Sequence, residues 1–105
     1  MGQFAVHRNP NPATQSEFPL LLDVQNDLLS DLGTRVVVPL CAPTLVGGKA
    51  ITSLTPELRV QGRRYLMITP QLAGVSRKAL GEQVADLSAH RDAIVGALDF
   101  LVNGF

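Results

Sequence analysis

The chain has 105 residues, 46% of them hydrophobic, with nine basic and nine acidic side chains. That length suits one compact domain with a single modest core, and the balanced charge excludes a general polyanion binder while leaving room for a local basic patch. The single cysteine, Cys41, excludes an internal disulfide and a thiolate zinc cage built from this chain alone.

Cys41 reads as a buried, inert thiol in a reducing compartment. The opening "MGQFAV" lacks the apolar core of a signal peptide, and Val6 stands where a myristoylation signal wants Ser or Thr. The longest uncharged run, Val36 to Gly48, is short and holds Pro39 and Pro43, so it cannot span a bilayer. The expectation is a cytoplasmic protein with no membrane contact.

In chain order, "QFAVH" alternates, with Phe4 and Val6 on one face, and predicts a short strand. "RNPNPATQSE" predicts a loop. "FPLLLDVQ" has period two: Phe18, Leu20, Leu22 and Val24 share one face and Leu21, Asp23 and Gln25 the other. "NDLLSDLGT" predicts a polar turn around Gly33. "RVVVPL" is the richest β-branched stretch and predicts a third strand, stopped or bulged at Pro39. Cys41 to Pro56 reads as irregular, with a short helical turn at "KAITSL". "ELRVQGRRYLMIT" predicts a hairpin turning at Gln61-Gly62. No regular structure is assigned to "PQLAGVSRKALGEQ".

The period changes in the last segment. Ile94, Leu98, Leu101 and Val102 recur at helical spacing, with Leu87 one turn further back. Ala89 to Val102 is expected to be one amphipathic helix, with Ser88 as its N-cap and Asp92 in its early turns. Strands first and one helix last argue for a small, mainly antiparallel sheet or barrel with a terminal helix packed on it. The division is strands over 1–70, a mixed segment over 71–87 and a helix over about 88–102, all in one domain spanning 1–105.

Chemistry is sparse. His7 and His90 are the two histidines, and neither has a Cys, Asp or Glu at metal-site spacing, so a solvated or structural role is expected for each. No metal, cofactor or catalytic residue is assigned. Asp23 and Asp27 flank "VQN", but in a strand running into a turn they do not form an acid–base pair; Asp27 reads as a turn residue that accepts backbone donors. Gly47-Gly48-Lys49 lacks the spacing of a phosphate loop and reads as turn chemistry. Arg63-Arg64 reads as solvated charge, with a phosphate contact as the lesser alternative. The residues by themselves describe a binding protein rather than an enzyme.

"LLLDVQNDLL", "RVVVPL", "YLMITPQLAGV", "ALGEQVADLS" and the closing "NGF" follow one another in the order found in the CcdB family of toxins. The chain resembles the chromosomal members of that family over essentially its whole length, least clearly over Arg8 to Ser16. The resemblance implies a dimeric SH3-like barrel of the CcdB/MazF type with a C-terminal helix. It implies a cytoplasmic type II toxin–antitoxin toxin that poisons DNA gyrase, acting on the A subunit by trapping the cleaved complex with DNA. Neutralisation by the disordered C-terminal segment of a CcdA-like antitoxin, roles in plasmid maintenance and transcription regulation, and no direct nucleic-acid binding without the antitoxin are implied with it. Which surface receives the antitoxin is unassigned.

The family's gyrase contacts follow a C-terminal Trp-Gly-Ile pattern, which falls on Asn103, Gly104 and Phe105 when the chains are placed end to end. Only the glycine matches, and the aromatic moves from the first position to the last. That departure bears on the strength of gyrase poisoning, not on the fold or the antitoxin pairing. Spacing alone also reads "NGF" as a helix stop, with Asn103 at the C-cap, Gly104 left-handed and Phe105 folding back. The two readings are compatible. Two alternatives stand beside the gyrase poison: a ribonuclease toxin of the same fold, which would need a base, an acid and cationic phosphate stabilisation in one pocket, and a non-toxic antitoxin-binding remnant.

Overall fold

The computed structural model describes residues 2–29, 31–46 and 53–104. Its described strands are β1 (Ala5–Arg8), β2 (Leu20–Asp23), β3 (Thr34–Cys41), β4 (Glu57–Val60), β5 (Arg63–Met67), β6 (Ala73–Ser76) and β7 (Gln83–Asp86). They form one antiparallel sheet in the order β4-β5-β3-β2-β1-β7, with β6 paired to β3 beside this path. A short helix, α1 (Pro43–Val46), follows β3, and α2 (Arg91–Asn103) closes the chain. This curled, mainly β architecture with one C-terminal helix is the SH3-like barrel class that the sequence led us to expect.

β3 organises the sheet because its run of β-branched residues fits a pleated, buried surface. One edge pairs with β2, from Leu20↔Leu40 to Asp23↔Val37. The other edge is shared: Thr34 to Val37 pair with β6, and Leu40 and Cys41 pair with β5. The stop or bulge expected at Pro39 does not occur, and the register with β2 runs unbroken through Leu21↔Pro39. The strand runs through it because Pro39 falls in the gap between those two partners, where its carbonyl still accepts from Ile68 N–H at 3.0 Å and the missing donor leaves no ladder bond unmade.

The predicted hairpin forms. Gln61 (φ 52°) and Gly62 (φ 81°) are both left-handed, as a two-residue type I′ turn requires. Gln61 also donates from Nε2 to Val84 O at 3.0 Å. That bond ties the β4–β5 end of the sheet to β7 at the opposite end, so the sheet curls on itself.

Curling encloses Val6, Leu22, Val38, Leu40, Leu58 and Met67, and α2 adds Ile94 and Ala97. Full burial of an Ile side chain such as Ile94 contributes roughly 1.5–3 kcal/mol. The core face of α2 is therefore Ile94 and Ala97, with Val95 and Leu98 packed at its margin, while Leu101 and Val102 of the expected stripe lie exposed.

Three local readings are corrected. The segment after Pro70 holds β6 and β7, each four residues long, whose weak intrinsic signal is overridden by pairing with β3 and β1. Ser88 does not cap α2: Ser88–His90 is a 3-10 turn, and Asp86 accepts from Ser88 N–H at 2.8 Å. The loop expected to be a polar turn around Gly33 carries a 3-10 turn, Asp27–Leu29, with Leu28 90% exposed. "KAITSL" reaches into 47–52, as does Gly47-Gly48-Lys49, and these calls lie outside the described residues.

Candidate functional site

Asn103 is the last helical residue of α2, and Gly104 follows at φ 76°, ψ 17°. Gly104 N–H donates to Phe100 O at 2.9 Å, the single bond of the left-handed helix termination. A glycine suits that backbone because a Cβ there would be strained. Asn103 and Gly104 are both exposed. Phe105 lies outside the described residues. The turn that leads to it is apolar and open, with Leu101 38% and Val102 79% exposed. The helix thus stops where the sequence placed the stop, and its last turn is left without a core to pack on.

A second exposed apolar surface escaped the sequence reading. Leu28, Leu29 and Leu32 are all at least half exposed on the loop between β2 and β3. The sequence reading placed the stretch in a polar turn around Gly33 and gave its leucines no role. The loop is held from beneath. Arg35 Nε donates to Asp23 Oδ2 at 2.7 Å and Arg35 Nη2 to Asp23 Oδ1 at 3.0 Å. Gln25 Nε2 donates to Leu29 O at 2.9 Å while Gln25 Oε1 accepts from Val36 N–H at 3.1 Å. Asp27 Oδ1 accepts from Gln3 N–H at 2.7 Å, so Asp27 does take a backbone donor, but from the N-terminal segment rather than from its own turn.

Phe4 connects this loop to α2. It is buried at φ 72°, a conformation that costs a bulky residue roughly 1–3 kcal/mol. Its N–H donates to Asp23 O at 2.6 Å and its carbonyl accepts from Leu87 N–H at 2.8 Å. The Arg91 guanidinium lies over its ring, 6.0 Å from the centroid.

The titratable candidates are structural. His7 is buried, with Nδ1 3.1 Å from Gly81 O, so of its two expected roles the structural one applies. His90 ends the 3-10 turn before α2. Burial pushes the Cys41 thiol up, with the negative charge of Glu17 adding to it, in keeping with an inert thiol. Among the described residues no three metal-ligating side chains converge, and no helix is long and apolar enough to cross a membrane.

Two apolar surfaces on a small, rigid antiparallel barrel suit recognition of another protein. The family model described as CcdB protein matches residues 3–104, nearly the whole chain. With the SH3-like barrel and terminal helix already in place, that match assigns the chain to the CcdB family, whose members are toxins of toxin–antitoxin pairs that poison DNA gyrase.

Proposed function

We propose that this protein is a cytoplasmic type II toxin that acts as a homodimer, binds the A subunit of DNA gyrase through Asn103, Gly104 and Phe105, and is neutralised by a CcdA-like antitoxin. The observation that carries this reading is the exposed apolar last turn of α2, ended by a left-handed Gly104. A left-handed terminus fixes the direction in which the following side chain leaves the helix. Apolar and aromatic anchors that bury on binding supply most of an interface's energy, and a two-fold dimer presents each anchor twice.

The protein acts by binding rather than by catalysis. His7, the side chain best suited to general-base chemistry, is buried in the sheet and engaged with Gly81 O, where no RNA could reach it. The roles in plasmid maintenance and operon regulation follow from pairing with the antitoxin.

The test is purified protein with gyrase, ATP and plasmid DNA, scored for trapped cleavage product. Accumulation of linear DNA after denaturation supports the proposal. No trapping, together with cleavage of single-stranded RNA that Arg64→Ala abolishes, would favour a ribonuclease toxin. Neither activity, with intact antitoxin binding, would leave an antitoxin-binding remnant.

A further inference from the structure

In the β4–β5 hairpin, Arg59 and Arg64 are direct cross-strand partners. Both are exposed on one face of the hairpin; Arg63, also exposed, pairs with Val60 and belongs to the alternate face. Three of the nine cationic side chains of a neutral chain therefore stand within six residues. Like charges placed directly opposite on a sheet destabilise it. Glu57 offsets only part of this, through one exposed contact to Arg64 at 3.4 Å, with the two side chains 44% and 59% exposed. The type I′ turn and the Gln61–Val84 bond hold the hairpin in place, so the arginines cannot separate by bending it.

We propose that this hairpin is a contact site for the phosphodiester backbone of duplex DNA. Guanidinium forks match phosphate oxygens and keep their charge at every working pH. An acidic peptide is the competing occupant, and the surroundings disfavour it. Protein partners rely on apolar anchors, yet the large apolar side chains of residues 57–67 are buried or half-buried: Leu58, Val60, Leu66 and Met67 lie in the core and Tyr65 packs against it. A phosphate backbone needs no such anchor, because its affinity comes from charge neutralisation and counterion release. With only two arginines on that face and no net charge, the contact is weak and salt-sensitive for the free protein. It narrows the expectation of no direct nucleic-acid binding to conditions of ordinary salt, and it gains weight when another protein already holds the duplex nearby. The inference is independent of which protein the end of α2 binds.

The test is fluorescence polarisation of a labelled random-sequence duplex between about 50 and about 200 mM salt. Two neutralised phosphates give a log–log salt slope of about −1.8, and the Arg59→Gln/Arg64→Gln protein should fall to about 0. Removing the like-charge pair leaves the melting temperature unchanged or raised, so lost binding cannot be charged to unfolding. Arg59→Lys/Arg64→Lys, which keeps both charges, should retain the steep slope. A wild-type slope no steeper than −1, an unchanged slope in the Gln variant, or a polyglutamate peptide that binds the hairpin more tightly than the duplex would each overturn the proposal.

Discussion

Arg35 and Asp23 form an ion pair with both side chains fully buried, Nε to Oδ2 at 2.7 Å. The pair joins the end of β2 to the start of β3, the two strands between which the exposed leucines 28, 29 and 32 lie. Asp23 Oδ1 also accepts from Gln25 N–H at 3.0 Å, and Arg35 Nη2 lies 3.3 Å from Gln25 O. Removing one partner leaves the other as an uncompensated buried charge. Arg35→Met should therefore destabilise the protein by about 3–5 kcal/mol, whereas Asp23→Leu with Arg35→Met should recover most of that loss. Urea unfolding of the three proteins measures it; a single variant within 1 kcal/mol of wild type, on the scale of about 3–5 expected, would show that the pair is not what fixes the loop.

Gly81 approaches β1 more closely than any side chain allows. A Cβ built on it would sit 2.6 Å from Arg8 O, while Gly81 N–H donates to that same oxygen at 2.9 Å and Gly81 O faces His7 Nδ1 at 3.1 Å. Gly81→Ala must push the 79–82 segment away from β1 and should cost roughly 1–3 kcal/mol. Gly74→Ala, with open space around its Cβ, serves as the control and should change stability little. Equal melting temperatures for the two variants would contradict the geometry.

The first three strands, the Gln61-Gly62 hairpin and the terminal helix were legible because each carries a local signal: period two, paired left-handed residues, or helical spacing. The Arg35–Asp23 pair was not. Both residues are charged and twelve positions apart, and alternation alone places them on a face that would ordinarily meet water. What buries them is the non-local closure of the sheet. The strand at Ala73–Ser76 escaped for a related reason, since "AGVS" has little intrinsic β preference and is held by its partner on β3. Of the candidate site, Gly104's role as the helix stop was readable from glycine at the helix end, but the apolar surface of the 28–32 loop was not, because its Asn, Asp, Ser and Gly residues read as a polar turn and say nothing of how the leucines among them are displayed.

Asp86 gives a pH-dependent signature. Ser88 Oγ and Ser88 N–H both donate to Asp86 Oδ1 and hold its carboxyl below the usual aspartate range, against a smaller opposing effect of desolvation. A carboxylate depressed in the folded state stabilises it above the unfolded value, about 3.9, and loses that contribution as pH falls through the lower folded value. An NMR titration should place the Asp86 midpoint below that of an ordinary aspartate, and Ser88→Ala should move it upward. An unchanged midpoint in the variant would remove Ser88 as the cause. The group is highly exposed, so the effect on global stability is small.

The proposed homodimer can be checked directly. Val95 and Leu98 are half-buried and Val102 is 79% exposed along α2, a stripe wider than one small barrel can cover. Light scattering should give twice the 11.2 kDa chain mass across micromolar concentrations. A mass that stays at one chain throughout would separate the apolar stripe from self-association and leave it to the target alone.

The end of α2 decides between a helix stop and a contact tip. Among the described residues, deleting Gly104 and Phe105 removes one backbone bond, Gly104 N–H to Phe100 O, worth about 0.5–1.5 kcal/mol, from a turn whose residues 101–104 are all exposed. Folding should therefore be nearly intact. If Phe105 is the aromatic anchor for gyrase, its loss should cost about 2–4 kcal/mol of binding, a thirtyfold to thousandfold fall in affinity on the scale of about 1.4 kcal/mol per tenfold. Asn103→Trp adds an aromatic side chain one residue before the left-handed glycine, on an already exposed position, and should strengthen gyrase trapping. A pure helix stop predicts the reverse pattern: a lower melting temperature for the truncated chain, with binding reduced only in proportion to unfolding, and no gain from Asn103→Trp. Truncated protein that is folded and still traps gyrase at wild-type potency would move the contact away from Asn103, Gly104 and Phe105, and the exposed leucines at 28, 29 and 32 would be the next surface to test.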